Sequence, residues 1–371
     1  MPLKIKTFDI VLPIIPIMIL AISIAVIYSL VFNTPDSNLA FRQGLFALVG
    51  LVIMGVVSFI DYRMFRGIIW IFYIIGILLL LYVDFFGKAA GGAMRWINLG
   101  FFQLQPSELA KVFLIFAFSA FFSKRIGKLR WRDIFISAFI LLPPLLLVLK
   151  EPDLGTALVL CFIYFVLLLF SKPTKIQYLI IFITLISFVG MLLLATFDIK
   201  PFNKFVHDYQ RNRILTFIDP NLDPYGKGYN VRQAQITVGS GGLLGKGLGR
   251  GSQSQLRFLP KPHTDFIFAG IAESFGFLGS FVLVGLYAYL ITKIINIGNL
   301  ARDNFGMLIC FGTASMFLFQ VLVNVGMNLG LAPVTGIPLP FSSYGGSSLA
   351  AYLFLIGLVQ SVFIRHKKIS F

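Results

Sequence analysis

The stretch PKPHTDFIFAGIAESFG, residues 260–276, passes from polar to apolar chemistry within a few residues. Lys261 and His263 stand at its polar start and Asp265 where the two chemistries meet. Glu273 follows eight residues later, about two helical turns on and so on nearly the same face. A carboxylate at the mouth of a polar cleft loses part of its hydration and holds a proton more readily, which makes it a candidate general base. Asp265 is that candidate; the alternative is that it only caps the helix that follows. Glu273 lies deeper in apolar sequence and must find donors, which calls for a hydrated or protein-lined cleft beside this helix. Lys261 and His263 can offset the carboxylate charge or bind an anionic substrate.

Other polar residues fall at the edges of apolar runs. Glu108 and Lys111, in QPSELAKVF, are spaced to pair on one helix face, with Ser107 expected as the N-cap. They read either as a structural ion pair or as the lining of a polar cavity. Arg95, in GGAMRWINLG, is expected at the same surface, as an interfacial anchor with Trp96 or as part of the cavity. Asp153, in EPDLGTAL, suits a helix N-cap and needs no other role. The stretch 330–348, GLAPVTGIPLPFSSYGGSS, is nearly uncharged and non-helical in character. Such a segment is held only against protein or a water-filled cleft, so it and its Ser343 are candidates to line the same cavity; a plain surface loop is the alternative. His207, His263 and His366 have no metal-ligand spacing. A divalent cation (Mg or Mn) held loosely between Asp265 and a phosphate would leave no motif, so metal use stays open.

The elements that must position these groups are membrane spans. Of the 371 residues 58% are hydrophobic and only 12% charged, against about 25% in soluble proteins. Apolar runs of about 20 residues recur throughout, each long enough to cross a bilayer as a helix. The expected fold is an all-α polytopic membrane protein, one integral membrane domain over 1–371. Ten spans are expected, at about 10–32, 42–60, 67–84, 106–122, 134–150, 154–171, 176–197, 265–291, 304–328 and 345–364. The first is too long for a signal-peptide core and reads as a retained span. Cys161 and Cys310 both lie in apolar runs and imply no disulfide.

Sixteen Lys and Arg fall in the short connections on one side, among them SKRIGKLRWR, against four on the other side outside its long loop. The positive-inside rule therefore places both termini in the cytoplasm. The long loop, 198–264 between spans seven and eight, lies outside and carries ten basic residues against four acids. Its cations serve either anionic headgroups or an anionic substrate at the outer face. Its VGSGGLLGKGLGRGSQSQ matches neither nucleotide-binding glycine pattern when counted, so the glycines serve close backbone approach or re-entry into the membrane surface. The net charge of +16 is orientation signal; with aromatics spread through apolar spans, nucleic acid is excluded as a partner.

GGAMRWINLG, QPSELAK, EPDLGTAL, PKPHTDFIFAGIAESFG and GIPLPFSSYGGSS, in this order among ten spans, resemble the signature segments of the SEDS family of bacterial cell-wall polymerases. The resemblance covers the whole chain and is closer to the elongation branch, RodA, than to the division branch, FtsW. It implies a multi-pass protein of the bacterial cytoplasmic (inner) membrane, a glycosyltransferase that polymerises lipid II and releases undecaprenyl pyrophosphate. It carries catalytic importance onto Asp265, with a lesser role for Glu108, Lys111, Arg95 and Asp153. It implies a class B penicillin-binding protein transpeptidase as partner, beside the membrane lipids. A transporter of lipid-linked precursors, a lipid II flippase, is the alternative; it would use the same cleft and cations without a base.

Overall fold

The computed structural model describes residues 8–32, 35–90, 93–98, 100, 102–196, 208–219, 223, 226–256, 258–259 and 262–366. Seven helices come first: α1 (Val11–Val31), α2 (Leu39–Phe59), α3 (Phe65–Phe86), α4 (Pro106–Ser123), α5 (Trp131–Lys150), α6 (Leu154–Phe170) and α7 (Lys175–Thr196). After three short helices, α8 (Asp208–Ile218), α9 (Lys227–Ser240) and α10 (Ser252–Gln255), the chain ends in α11 (Ile267–Leu300), α12 (Asn304–Leu329) and α13 (Gly346–Ile364). The ten longer apolar helices lie on the ten expected stretches. Among the described residues eight are long and apolar enough to cross a membrane, and α6 and the first part of α7 are shorter apolar helices.

Three local features go beyond the expected outline. Residues 88–104 are not a plain connection. They form a small antiparallel sheet, β1 (Lys88–Ala90), β2 (Ala93–Asn98) and β3 (Gln103–Leu104), in that order, so the fold is mostly rather than wholly helical. The long loop carries α8, α9 and α10. The eighth span runs on to Leu300, so α11 has 34 residues, and the part after its break at Gly276 is about 36 Å long, beyond a ~30 Å hydrocarbon layer. Lys293, which ends no helix, instead pairs with Asp9 ahead of α1 at 2.7 Å.

Helices α4, α12 and α13 are buried on most sides, whereas α3 and α5 show most of their surface outward, as lipid-facing spans do. Small residues let neighbours approach. A Cβ at Gly357 of α13 would lie 2.7 Å from the Met54 carbonyl of α2, so only glycine permits this contact.

One end of the bundle is latched by ions. Arg63 pairs with Asp303 at 3.4 Å, Arg365 with Asp61 at 3.6 Å and Arg125 with Asp133 at 3.0 Å. The other end holds residues 262–266, the segment between α12 and α13, the sheet and α8–α10, and is latched mainly by hydrogen bonds to carbonyls.

Helix α11 is broken at Gly276, whose φ of 68° and ψ of −164° are open to glycine alone. The glycine-rich loop closes the break. Lys246 and Gly247 donate their amides to the Glu273 and Ser274 carbonyls, and Phe277 and Leu278 donate theirs to Gly242 and Leu243. A broken helix in an apolar layer survives only when its released backbone groups are re-paired in this way. A Cβ at Gly245 would sit 2.3 Å from the Ser274 carbonyl, so the expected close backbone approach is made to the chain itself.

Candidate active site

Residues 262–266 form the turn that enters α11. The helix starts at Ile267 with Phe266 at the cap position, so Asp265 stands one residue outside it and is not its N-cap. Three successive carbonyls of this turn are taken by neighbouring elements. The Tyr344 amide donates to His263 O at 2.8 Å, and Ser343 Oγ donates to Thr264 O at 2.7 Å. Asn324 and Asn328, four apart on α12, both donate side-chain Nδ2 to Asp265 O, at 3.1 and 3.2 Å. The Asp265 side chain is partly exposed and lies toward Gly336, where an added Cβ would come within 3.8 Å of Oδ2.

The segment 330–345 is therefore a strap beside Asp265, as its composition suggested. Gly330, in the left-handed conformation, ends α12, and Gly336 has φ +77°. Asn324 Nδ2 also donates to Ile337 O at 2.8 Å. Tyr287 Oη donates to Pro340 O at 2.5 Å and shares a bond with Ser342 Oγ at 2.7 Å, and Ser23 of α1 donates to Ser342 O. Gln43 of α2 bridges Ser343 O and the Gly345 amide, each at 3.3 Å. Phe341 is held at φ +62°, costly for a bulky residue, and is buried against Phe317 and Tyr352. Ser343 is thus a buried tie that also accepts the Leu339 amide at 2.8 Å.

Cations and carboxylates approach the strap from two sides. Arg213 of α8 donates Nη1 to Thr335 O at 2.8 Å. From the other side comes the start of α6: a Cβ at Gly155 would lie 2.8 Å from the same Thr335 carbonyl. Asp153 caps α6 as expected, accepting from the Thr156 amide at 3.1 Å and from Thr156 Oγ1 at 3.0 Å. Arg95, on β2, donates Nε to Glu151 O at 2.8 Å and Nη2 to Pro152 O at 2.5 Å, closing the α5–α6 turn. Glu151 in that turn is buried, with both carboxylate oxygens unpartnered. Burial, with Asp153 adding to it, pushes its carboxyl up to about 8.

Two other expectations resolve differently. Glu108 and Lys111 do pair, at 2.8 Å, but both are 98% or more buried within the bundle. The Lys111 ammonium also lies 5.8 Å from the centre of the Tyr352 ring. Ser107 is not the N-cap. Gln105 takes that position with Pro106 at N1, because proline fits the first turn without a donor. Glu273 lines no open cleft: it is fully buried and receives Ser240 Oγ, Lys246 Nζ, the Gln253 and Ser254 amides and Ser254 Oγ. All five donors come from the long loop, which folds over α11 rather than standing off in water. Lys261, with Lys200, Lys204, His207 and Arg257, lies outside the described residues. His263 is in the turn, its ring 6.0 Å from that of Tyr344.

Asn324, Asn328, Gln43, Tyr287 and Glu151 were not singled out from the sequence. The two asparagines carried a usable signal, since two amides four apart in VLVNVGMNLG share one face of an apolar helix. Among the described residues no group of three or more His, Cys, Asp or Glu is arranged to hold a metal ion.

The family model FTSW_RODA_SPOVE, "Cell cycle protein", matches residues 5–368. "Peptidoglycan glycosyltransferase MrdB" of Escherichia coli (strain K12) is 39% identical over 323 residues, covering 87% of this chain and 85% of that protein. "Probable peptidoglycan glycosyltransferase FtsW" of Geobacter metallireducens is 34% identical over 377 residues, covering 98% and 96%. Among solved structures, the crystal structure of the Thermus thermophilus rod shape determining protein RodA superposes with a TM-score of 0.71 at 30% identity, covering 98% of each chain. A chain from "Structural coordination of polymerization and crosslinking by a peptidoglycan synthase complex" superposes with a TM-score of 0.80 at 32% identity, covering 97% of this chain and 98% of that one.

Proposed function

The chain belongs to the FtsW, RodA and SpoVE family of cell cycle proteins and is a peptidoglycan glycosyltransferase of the inner membrane, and from that premise we propose that it polymerises lipid II at the outer membrane face. In this reading the end of the bundle that carries Asp265 faces outward and both termini are cytoplasmic. Asp265 removes the proton from the 4-hydroxyl of the acceptor sugar. The oxygen attacks the anomeric carbon of the donor, the bond to pyrophosphate breaks, and undecaprenyl pyrophosphate leaves with the electron pair. Attack opposite the leaving group turns an α-linked donor into a β-linked glycan without a covalent sugar intermediate. Arg213 and other loop cations offset the charge that gathers on the pyrophosphate.

The observation that carries this reading is the setting of Asp265. It is a partly exposed carboxylate beside an uncharged, tightly tied strap, with a guanidinium on the adjacent Thr335 carbonyl. A divalent cation (Mg or Mn) held between Asp265 and a phosphate would need no set of three protein ligands, and it would add to the charge offset on the pyrophosphate. The partner is a class B penicillin-binding protein transpeptidase and the role is cell elongation; the likeness to a chain of a synthase complex that couples polymerization to crosslinking supports the first, and the likeness to a rod shape determining protein the second. The relatives' names do not favour a flippase.

The test is polymerisation of lipid II by the purified protein and by Asp265→Asn, each with and without Mg or Mn. Glycan made at the normal rate by Asp265→Asn would remove the base. Movement of lipid II across liposomes by Asp265→Asn, with no polymer from the unaltered protein, would restore the transporter.

A further inference from the structure

Asn324 and Asn328 are fully buried amides on an apolar helix, where an unmatched polar group costs several kcal/mol. Their bonds converge on one residue. Both Nδ2 groups donate to Asp265 O, Asn324 Nδ2 also reaches Ile337 O, and Asn328 Nδ2 also reaches Asn324 O at 2.8 Å. Asn328 Oδ1 accepts the Ala269 amide at 3.3 Å. That amide, in the first turn of α11, is shared between Asn328 and the Phe266 carbonyl, to which it also donates at 3.1 Å. Asn328 thus reaches across from α12 to share in the capping that the sequence position of Asp265 would suggest for Asp265 itself. The orientation of each amide follows from its surroundings, since only Nδ2 can face carbonyls and only Oδ1 can face an N–H.

We propose that Asn324 and Asn328 form an amide clamp that positions Asp265 for proton removal, holding its carbonyl from α12 while Asn328 shares in the capping of α11. The inference rests on the reading of Asp265 as the base, and the two asparagines are positioning residues that do not touch substrate. The clamp also ties Asp265 to the strap, because the amide that grips Asp265 O grips Ile337 O as well. Base and facing wall therefore move together. A general base must lie within hydrogen-bond reach of the hydroxyl it deprotonates, and a displacement of about 1 Å can cost about 100-fold in rate.

The experiment measures lipid II polymerisation by purified Asn324→Ala, Asn328→Ala, the double variant, Asn328→Asp and Asp265→Asn, with a thermal unfolding midpoint for each. Turnover is expected to fall from roughly 10-fold for either alanine to about 100-fold for the pair, with KM for lipid II within about twofold of the unaltered protein. Asn328→Asp gives a sharper readout. A neutral carboxylic acid can donate to Asp265 O and still accept from Ala269, whereas a carboxylate can only repel that carbonyl. Its activity relative to the unaltered protein at the same pH should therefore rise as pH falls through the acidic range, since Asp265, the base, is protonated alike in both. His263 and Arg213, the titratable neighbours on the same rim, are the same in every variant.

A folded double variant with normal turnover would overturn the clamp, as would an Asn328→Asp pH profile parallel to that of the unaltered protein. Should the alanine variants not fold, Asn328→Asp decides alone, since it keeps side-chain volume and the capping acceptor. Asp265→Asn separates the two ideas. If it retains activity, the base and the clamp fall together. If it is inert while the clamp variants are normal, only the clamp fails.

Discussion

Asp265 and Glu273 stand eight residues apart along one polypeptide, and the molecule holds them by opposite ends. Asp265 is gripped by its backbone: its carbonyl takes two amides from α12, and those of His263 and Thr264 are tied to the strap. Glu273 is gripped by its carboxylate, which takes five donors from a loop that also re-pairs the backbone around the Gly276 break. The first arrangement fixes where a carboxylate stands and keeps it at a partly exposed rim. The second consumes every lone pair and turns a carboxylate into a fastener. Burial of an acid in an apolar span is therefore not by itself a sign of chemistry; the acid at the partly exposed rim, and not the enclosed one, is the proposed base.

Substitutions can break that contrast. Asp265→Asn should give the largest effect on rate, a loss on the order of 10³-fold in polymerisation. Its thermal unfolding should match the unaltered protein, because the backbone bonds remain. Glu273→Ala should do the reverse. Five donors lose their acceptor and Lys246 is left beside a void, which should cost about 4 kcal/mol of stability and expose residues 241–256 to protease, with turnover per folded molecule little changed. A rate defect in folded Glu273→Ala protein as deep as that of Asp265→Asn would erase the distinction.

Two further changes sharpen it. Lys111→Met leaves Glu108 charged and buried and should cost about 3 kcal/mol; adding Glu108→Gln should recover part of that loss in the same melting experiment. Equal losses in both variants would point to separate roles for the two residues. An effect no larger is expected at Glu151, a buried acid gripped at its carbonyl by Arg95 and not at its carboxylate. Its carboxyl is raised to about 8, so the folded protein binds a proton that the unfolded chain has released above the ordinary carboxylate range. Stability should therefore fall as pH rises from about 5 to 8, by about 3 kcal/mol, and level off above. Glu151→Gln should flatten that slope; an unchanged slope would assign it to other groups.

Much of this was legible before any coordinates. Apolar runs of span length located the ten longer helices to within about three residues, except at the far end of α11, where nothing in the sequence stops a helix that has left the hydrocarbon. The Glu108–Lys111 spacing and the Asp153 cap followed from local geometry. Gln43 and Tyr287 were not legible as site residues, because their partners lie 53 to 302 positions away in the chain; Asn324 and Asn328 were legible as amides on one face of an apolar helix but not in their bonds to Asp265. The small sheet at 88–104 was missed because its strands are two to six residues long, too short to show a period.

The amino-acid sequence alone determined that this chain crosses a membrane many times, how its spans are ordered, and which carboxylates were costly enough to need a reason. Those are properties of single side chains and of their transfer out of water. Only the tertiary structure decided which carboxylate is enclosed and which stands at the rim. That depends on where a loop of glycines folds back and which neighbouring helix brings an amide within about 3 Å, and bonds of that kind form between segments whose meeting no local pattern encodes.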